Sequence, residues 1–346
     1  MNFHAVMKKF LMPLALLACC LFPTLSAQAA DATANGYLDH PEAQKFIAEI
    51  QAEQAYPPAK LKDLLRSATP QQSILEAIAR PAEKTKTWAE YRPIFLTEER
   101  VNQGVEFYRQ HESTLVHAEQ EYGVSRYVIL AIIGVETRYG KHMGRHRVID
   151  ALTTLAFDYP PRSAFFRSEL KHFLQLEQEA GIDLNAAQGS YAGAMGYGQF
   201  IASSYRHYAV DFDGDGRRDL LHNPVDAIGS VANYFRQHGW RTGEPVASLA
   251  RRLGEQARAL EPLLSSPTRP QKPTRSILEL KQAGLLPDAD LPADSAATAT
   301  RFLGKDGPEY WIGLQNFYVI TRYNHSPLYA MAVYQLSEAL QRKLSS

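Results

Sequence analysis

The run Val128-Ile129-Leu130-Ala131-Ile132-Ile133-Gly134-Val135 offers water no polar face. A helix that is apolar all round has to be enclosed by the rest of the protein, so this segment sets the axis of a core. It ends in Glu136, followed by Thr137, Arg138, Tyr139 and Gly140. A carboxyl group carried out of water in this way is favoured in its protonated form, the form a general acid needs near neutral pH. Positions three and four away hold Ile132, Ile133, Tyr139 and Gly140, none able to form an ion pair, and Arg138 points elsewhere. A helix-terminal Glu that simply reaches water fits the same residues, and the helix alone does not choose. Ser125 is placed to cap the helix and Gly140 to stop it.

The chain has 346 residues, enough for two or three packed units. With 45% hydrophobic and 21% charged residues it is an ordinary globular composition. Residues 1–29 read as a signal peptide: Lys8 and Lys9, then an apolar stretch from Phe10 to Phe22, then the A-x-A site Ala27-Gln28-Ala29. This implies export to the periplasm. The rival reading is a lipoprotein anchored through Cys19. Cys19 and Cys20 are the only cysteines, so cleavage after Ala29 leaves no disulfide, thiol nucleophile or thiolate metal site. Loss of Lys8 and Lys9 takes the 37 basic residues to 35 against 37 acidic ones, which is not the charge of a nucleic-acid binder. Charge runs such as Glu98-Glu99-Arg100 read as solvated helix surface. The eleven histidines show no metal-binding spacing.

Helical spacing recurs in Phe46, Ile47 and Ile50, and in Ile74, Leu75 and Ile78, with Pro57-Pro58 between. Thr97 caps a long helix with Glu98 and Glu99 in its first turn; its apolar face holds Val101, Val105, Tyr108, Leu115 and Val116, and Gly123 ends it. Residues 163–180 are amphipathic, and Pro224 opens a helix over 224–238. Prolines and small residues then mark 243–310 as a loop-rich insert with short strands. Five divisions follow: the signal peptide, an N-terminal helical region (31–86), a core (87–242), the insert (243–310), and a segment returning to the core (311–346).

Three further constellations bear on chemistry. The turn from Ser190 to Gln199 holds Gly193, Gly196 and Gly198, directly after Gly189; these allow close backbone approach to a ligand. Ser190, Tyr191, Tyr197 and Gln199 supply groups that suit sugar hydroxyls and acetamides, though a plain tight connection has the same residues. Asp211, Asp213, Asp215 and Asp219 fall at positions 1, 3, 5 and 9 of a calcium loop, with Gly216 at position 6 and Arg217 at position 7, where a backbone carbonyl serves. Position 12 is His222 instead of Glu; Asp226, at position 16, is the next carboxylate able to close the site. A solvated acidic turn is the alternative. Near the C-terminus, Asn316, Phe317, Tyr318, Tyr323, Asn324, His325 and Tyr329 suit a carbohydrate cleft, with Phe317 and Tyr318 better explained by packing.

Taken together the chain resembles the lytic murein (peptidoglycan) transglycosylase B family. The marks run from Thr87-Trp88 to Leu336: Trp88-Ala89-Glu90-Tyr91-Arg92-Pro93, Gly134-Val135-Glu136-Thr137-Arg138-Tyr139-Gly140, Ser190-Tyr191-Ala192-Gly193-Ala194-Met195-Gly196, Asp226-Ala227-Ile228-Gly229-Ser230-Val231-Ala232-Asn233-Tyr234-Phe235, His238-Gly239-Trp240 and the stretch from Asn316 to His325. The insert at 243–310 matches least. The resemblance implies a mainly α fold: a lysozyme-like core, an N-terminal helical region, a small β-containing insert and an EF-hand-like calcium loop. Glu136 matches the catalytic Glu. Ser190, Gln199, Tyr234, Tyr323, Asn324 and Tyr329 match positions that contact glycan or support the acid, and Tyr91 and Arg162 match outer cleft positions. Pro161 stands where some relatives carry a second Arg. The implied metal is a structural calcium held by Asp211, Asp213, Asp215, Arg217, Asp219 and Asp226, with no cofactor for catalysis. The implied substrate is peptidoglycan glycan, cleaved by a monomeric enzyme that works beside other cell-wall enzymes. A goose-type lysozyme-like hydrolase and a non-catalytic, calcium-stabilised peptidoglycan-binding protein are the competing readings.

Overall fold

The helix Arg126–Thr137 runs through the middle of the protein, and every residue from Val128 to Val135 is buried. The computed structural model describes residues 35–79, 86–254 and 257–346; the signal-peptide segment 1–29 lies outside the described residues. The helices Glu98–Tyr122, Pro224–Gln237 and Pro327–Ser345 pack around the central one. The fold is mainly helical and lysozyme-like, with a small sheet region.

The long helix Glu98–Tyr122 begins where Thr97 accepts from Arg100 N and ends at Gly123 in the left-handed region. It is kinked at His111 (φ −125°, ψ 25°). Its buried face is turned slightly from the expected one: Gly104, Phe107 and Ala118 are buried beside Val105, Tyr108 and Leu115. Arg100 is buried too, at 8% exposure, which corrects its reading as solvated surface. The N-terminal helices Pro41–Ala52 and Pro58–Ser67 bury Phe46, Ile47, Ile50, Leu61 and Leu65 in the same hydrophobic cluster as Ile129 to Ile133.

Six strands between Ala247 and Gly313 make the sheet region. Ala296–Gly304 and Gly307–Gly313 form an antiparallel hairpin, Ala247–Arg252 pairs with the latter, and Leu285–Pro287 completes that edge. Leu264–Ser265 and Arg275–Ser276 pair with Ala296–Gly304. Ile277, Leu280, Leu285 and Ile312 belong to a second, smaller hydrophobic cluster. A separate two-residue pairing joins His146–Arg147 to Gln188–Gly189 and so anchors the start of the glycine-rich turn. No helix among the described residues is long and apolar enough to cross a membrane.

Both expected ends of the central helix are made differently. Ser125 stands at the N-cap without a side-chain bond; Glu119 instead accepts from Arg126 N at 3.0 Å and pairs with its guanidinium. The helix stops before Gly140, because Arg138 (φ 52°) and Tyr139 (φ 61°) already take left-handed backbone. Thr137 holds that bend: its hydroxyl lies 2.9 Å from Tyr197 O and 3.1 Å from Ile133 O, and accepts from Gly140 N at 2.9 Å. The bend drives the Tyr139 ring against Gly134. A Cβ added at Gly134 would stand 2.5 Å from the Tyr139 hydroxyl and 2.6 Å from its Cζ. Gly134→Ala is therefore expected to destabilise the protein by about 1–3 kcal/mol, the range for overpacking a well-filled interior; a urea midpoint equal to wild type would contradict the packing described.

Candidate active site

The first turn of the helix Pro327–Ser345 delivers the partner of Glu136. Ser326 caps that helix by accepting from Tyr329 N, and the Tyr329 hydroxyl donates to Glu136 Oε1 at 2.6 Å. Tyr329 is buried and Glu136 half-buried. Burial, then the nearby Glu136 charge, raises the Tyr329 hydroxyl well above the ordinary phenol value. The same two causes raise Tyr323. Both phenols therefore stay neutral donors beside the carboxyl group.

Tyr323, the last residue of the helix Gln315–Tyr323, donates to Gly198 O and so fastens the glycine-rich turn to the site. Ser190 shapes the other end of the turn: its hydroxyl accepts from Ala192 N at 3.2 Å and Ala194 N at 3.1 Å. Gln199 has φ 51° and donates to Met143 O (3.1 Å) and Gly196 O (3.0 Å), bracing the turn against the segment that follows Glu136. Gly196 is required by contact as well as by its φ of 70°, since a Cβ there would meet Leu220 O at 2.0 Å. Non-glycine residues held in left-handed backbone, here Arg138, Tyr139 and Gln199, gather where the surrounding structure dictates geometry.

The other expected residues are placed less directly. Tyr234 donates to Arg322 O at 2.6 Å, lies edge-on to Tyr323 at 4.8 Å and stacks on His238 at 4.0 Å; it supports Tyr323 from behind. Asn324 follows Tyr323 at the helix end and is half-buried. Tyr91 is only 1% exposed and packs on Phe95. Arg162 is exposed, with its guanidinium over Phe165 (4.3 Å) and Phe166 (5.0 Å). Sequence reasoning missed Arg100, which donates to the main chain just ahead of Glu136. Its spacing with Gly104 and Phe107, four and seven residues on, was the available signal.

In the acidic loop, ligand oxygens of Asp211, Asp213 and Asp226 lie within 4.8 Å of one another. Asp226, in the first turn of the helix Pro224–Gln237, is fully buried, and burial, together with Asp211 and Asp213, raises its pKa. Three converging carboxylates, one of them out of water, fit a hard cation taking oxygen ligands. Asp215 and Asp219, the other expected carboxylate ligands, lie on the same loop. Backbone amides brace carboxylates throughout the loop: Asp215 accepts from Arg217 N and Asp219 from Leu221 N and His222 N, as Asp211 does from Gly214 N and Gly216 N.

A family model described as the transglycosylase SLT domain matches residues 39–338. The membrane-bound lytic murein transglycosylase B of Escherichia coli (strain K12) is 43% identical over 315 residues, covering 88% of this chain and 84% of the relative. Among solved structures, the catenated lytic transglycosylase SltB1 of Pseudomonas aeruginosa superposes with a TM-score of 0.82 at 50% identity, covering 89% of this chain and 99% of that one. The E. coli lytic transglycosylase Slt35 in complex with calcium gives 0.81 at 41% identity, covering 92% and 99%. The chain belongs to the transglycosylase SLT family. Within it, the chain is a lytic transglycosylase of the murein transglycosylase B group.

Tyr329→Phe deletes the donor to Glu136 and keeps the ring. The expected outcome is a turnover roughly 10- to 100-fold lower, the effect of losing a hydrogen bond to a charged group worth about 1.5–3 kcal/mol, with a near-native circular dichroism spectrum. Unchanged turnover would show that the bond is idle.

Proposed function

We propose that this enzyme cleaves the β-1,4 bond between N-acetylmuramic acid and N-acetylglucosamine in peptidoglycan, with Glu136 acting first as acid and then as base. The observation that carries this reading is the placement of Glu136: a carboxyl at the end of a buried apolar helix, held by a phenol that remains protonated. Glu136 protonates the leaving glycosidic oxygen as the C1–O bond breaks. The substrate's own acetamido group stabilises the cationic centre. The carboxylate then takes the proton of the muramyl 6-hydroxyl, whose oxygen bonds to C1. The product is a 1,6-anhydromuramyl end, and no water is consumed. One carboxyl returns to its starting state, so the second carboxylate of ordinary glycosidases is not needed. Tyr323, Asn324, Ser190 and Gln199 line or shape the glycan site, with Tyr234 behind it and Tyr91 and Arg162 at its outer reach.

Calcium held by Asp211, Asp213 and Asp226 together with Asp215, Arg217 and Asp219 is the structural part of the proposal. It would neutralise carboxylates that otherwise repel, and join the loop to the helix Pro224–Gln237. The relative crystallised with calcium supports this choice of ion. Residues 1–29 direct export to the periplasm as a soluble monomer; the membrane-bound name of the E. coli relative favours keeping the Cys19 anchor as the alternative.

Glu136→Gln is expected to lose about 10²- to 10⁴-fold in turnover, the usual contribution of a positioned acid–base group. Mass spectrometry of digested peptidoglycan should find muramyl ends lighter by one water than hydrolysis gives; reducing ends alone would establish the goose-type hydrolase instead. Chelation should lower the melting temperature by roughly 4 °C, as expected for losing a ligand present at about a hundred times its dissociation constant. Initial activity at a temperature where the protein stays folded should change little. Immediate, reversible inactivation without unfolding would contradict a structural role for the ion.

A further inference from the structure

Arg100 is the one buried basic residue among the described residues. It extends from the first turn of the helix Glu98–Tyr122 and directs its donors at main-chain carbonyls: Gly134 O at 2.6 Å, Ile94 O at 3.2 Å and Val135 O at 3.4 Å. Its guanidinium lies over the Phe95 ring at 5.3 Å. Its Nε and the Tyr139 hydroxyl are buried without hydrogen-bond partners. Removing a guanidinium from water toward neutral acceptors, with one donor left over, is a poor source of stability. What the arrangement supplies is geometry. Nη1 serves both Gly134 O and Val135 O while Nη2 holds Ile94 O, a planar arrangement that a lysine ammonium cannot reproduce.

The acceptors are informative. Val135 O belongs to the peptide unit that opens Glu136, and Gly134 O to the one before it. The Tyr139 hydroxyl meets the positions of Gly104 and Gly134 from the other side of the bend. Arg100 ahead of Glu136 and Tyr139 behind it thus bind the end of the catalytic helix to the long helix.

We propose that Arg100 is a positioning residue for Glu136, gripping the Gly134 and Val135 carbonyls so that one carboxyl reaches both oxygens it must serve. This rests on the reading of Glu136 as acid and base. Proton transfer requires the carboxyl within about 2.6–3.2 Å of the glycosidic oxygen and later of the 6-hydroxyl. Small displacements of a reacting group cost rate steeply. Glycan binding, made by other parts of the cleft, does not depend on this grip.

The test measures kcat and KM on soluble glycan strands for Arg100→Lys and Arg100→Met, with the folded fraction taken from thermal melts. The expected result for Arg100→Lys is a kcat lower by about 10- to 100-fold per folded molecule, with KM within about twofold of wild type. Arg100→Met should be at least as impaired; if it does not fold, Arg100→Lys decides. A wild-type kcat in Arg100→Lys, a loss that merely follows the folded fraction, or a raised KM at constant kcat would each overturn the proposal. Placing Arg100→Lys in the Glu136→Gln background separates the two readings: no further loss is expected where Glu136 is the group being positioned. Wild-type turnover in Glu136→Gln alone would remove the acid–base reading itself.

Discussion

Enclosing the helix Arg126–Thr137 is the constraint on which the rest of the structure turns. Its residues from Val128 to Val135 are buried on every side, so three other helices must surround it. A helix enclosed in this way brings its last carbonyls into the interior, where water is scarce and partners have to be provided. Arg100 provides one set and the Thr137 hydroxyl, donating to Ile133 O, another. Glu136 sits at the point where those arrangements meet.

The site is thus built by satisfying a helix end. Tyr329 reaches Glu136 because Ser326 starts a helix close to it. Tyr323 reaches Gly198 because its own helix ends there. The turn from Ser190 to Gln199 is held from both directions, by the Ser190 hydroxyl within it and by the Gln199 amide across to Met143. Left-handed backbone at Arg138, Tyr139 and Gln199 is tolerated because these bonds over-determine it. The acidic loop follows the same logic at a distance: Asp226 accepts from Phe212 N and Asp219 N, tying both ends of the loop to one helix.

Much of the helical layout was legible because it depends on local chemistry. Thr97 and Gly123 bound the long helix as capping rules expect, and Pro224 opens its helix. Asp226 as the closing carboxylate could be suspected from the His222 departure, since a loop with no acid at its twelfth position needs another nearby. The failures were of a different kind. Ser125 was displaced as a cap by Glu119, a residue on the preceding helix, and Gly140 was pre-empted by a bend that depends on Tyr197. Arg100 looked like surface because its neighbours Glu98 and Glu99 are acidic, and the helix-end carbonyls it binds belong to residues more than thirty positions away.

By itself the sequence determined that a wholly apolar helix must be buried, that it ends in a carboxylate, and that glycines, capping residues and acidic spacing surround it with turns and a cation-like loop. These follow from side-chain polarity and backbone preference, which act over a few residues. Only the tertiary structure decided which groups meet Glu136: Tyr329 as its donor, Tyr323 as the fastening of the turn, Arg100 as the grip on the preceding carbonyls. It also brought ligand oxygens of Asp211, Asp213 and Asp226 within 4.8 Å of one another. Those contacts depend on the packing of helices far apart in the chain, and no local preference encodes the rotation at which two such helices come to rest.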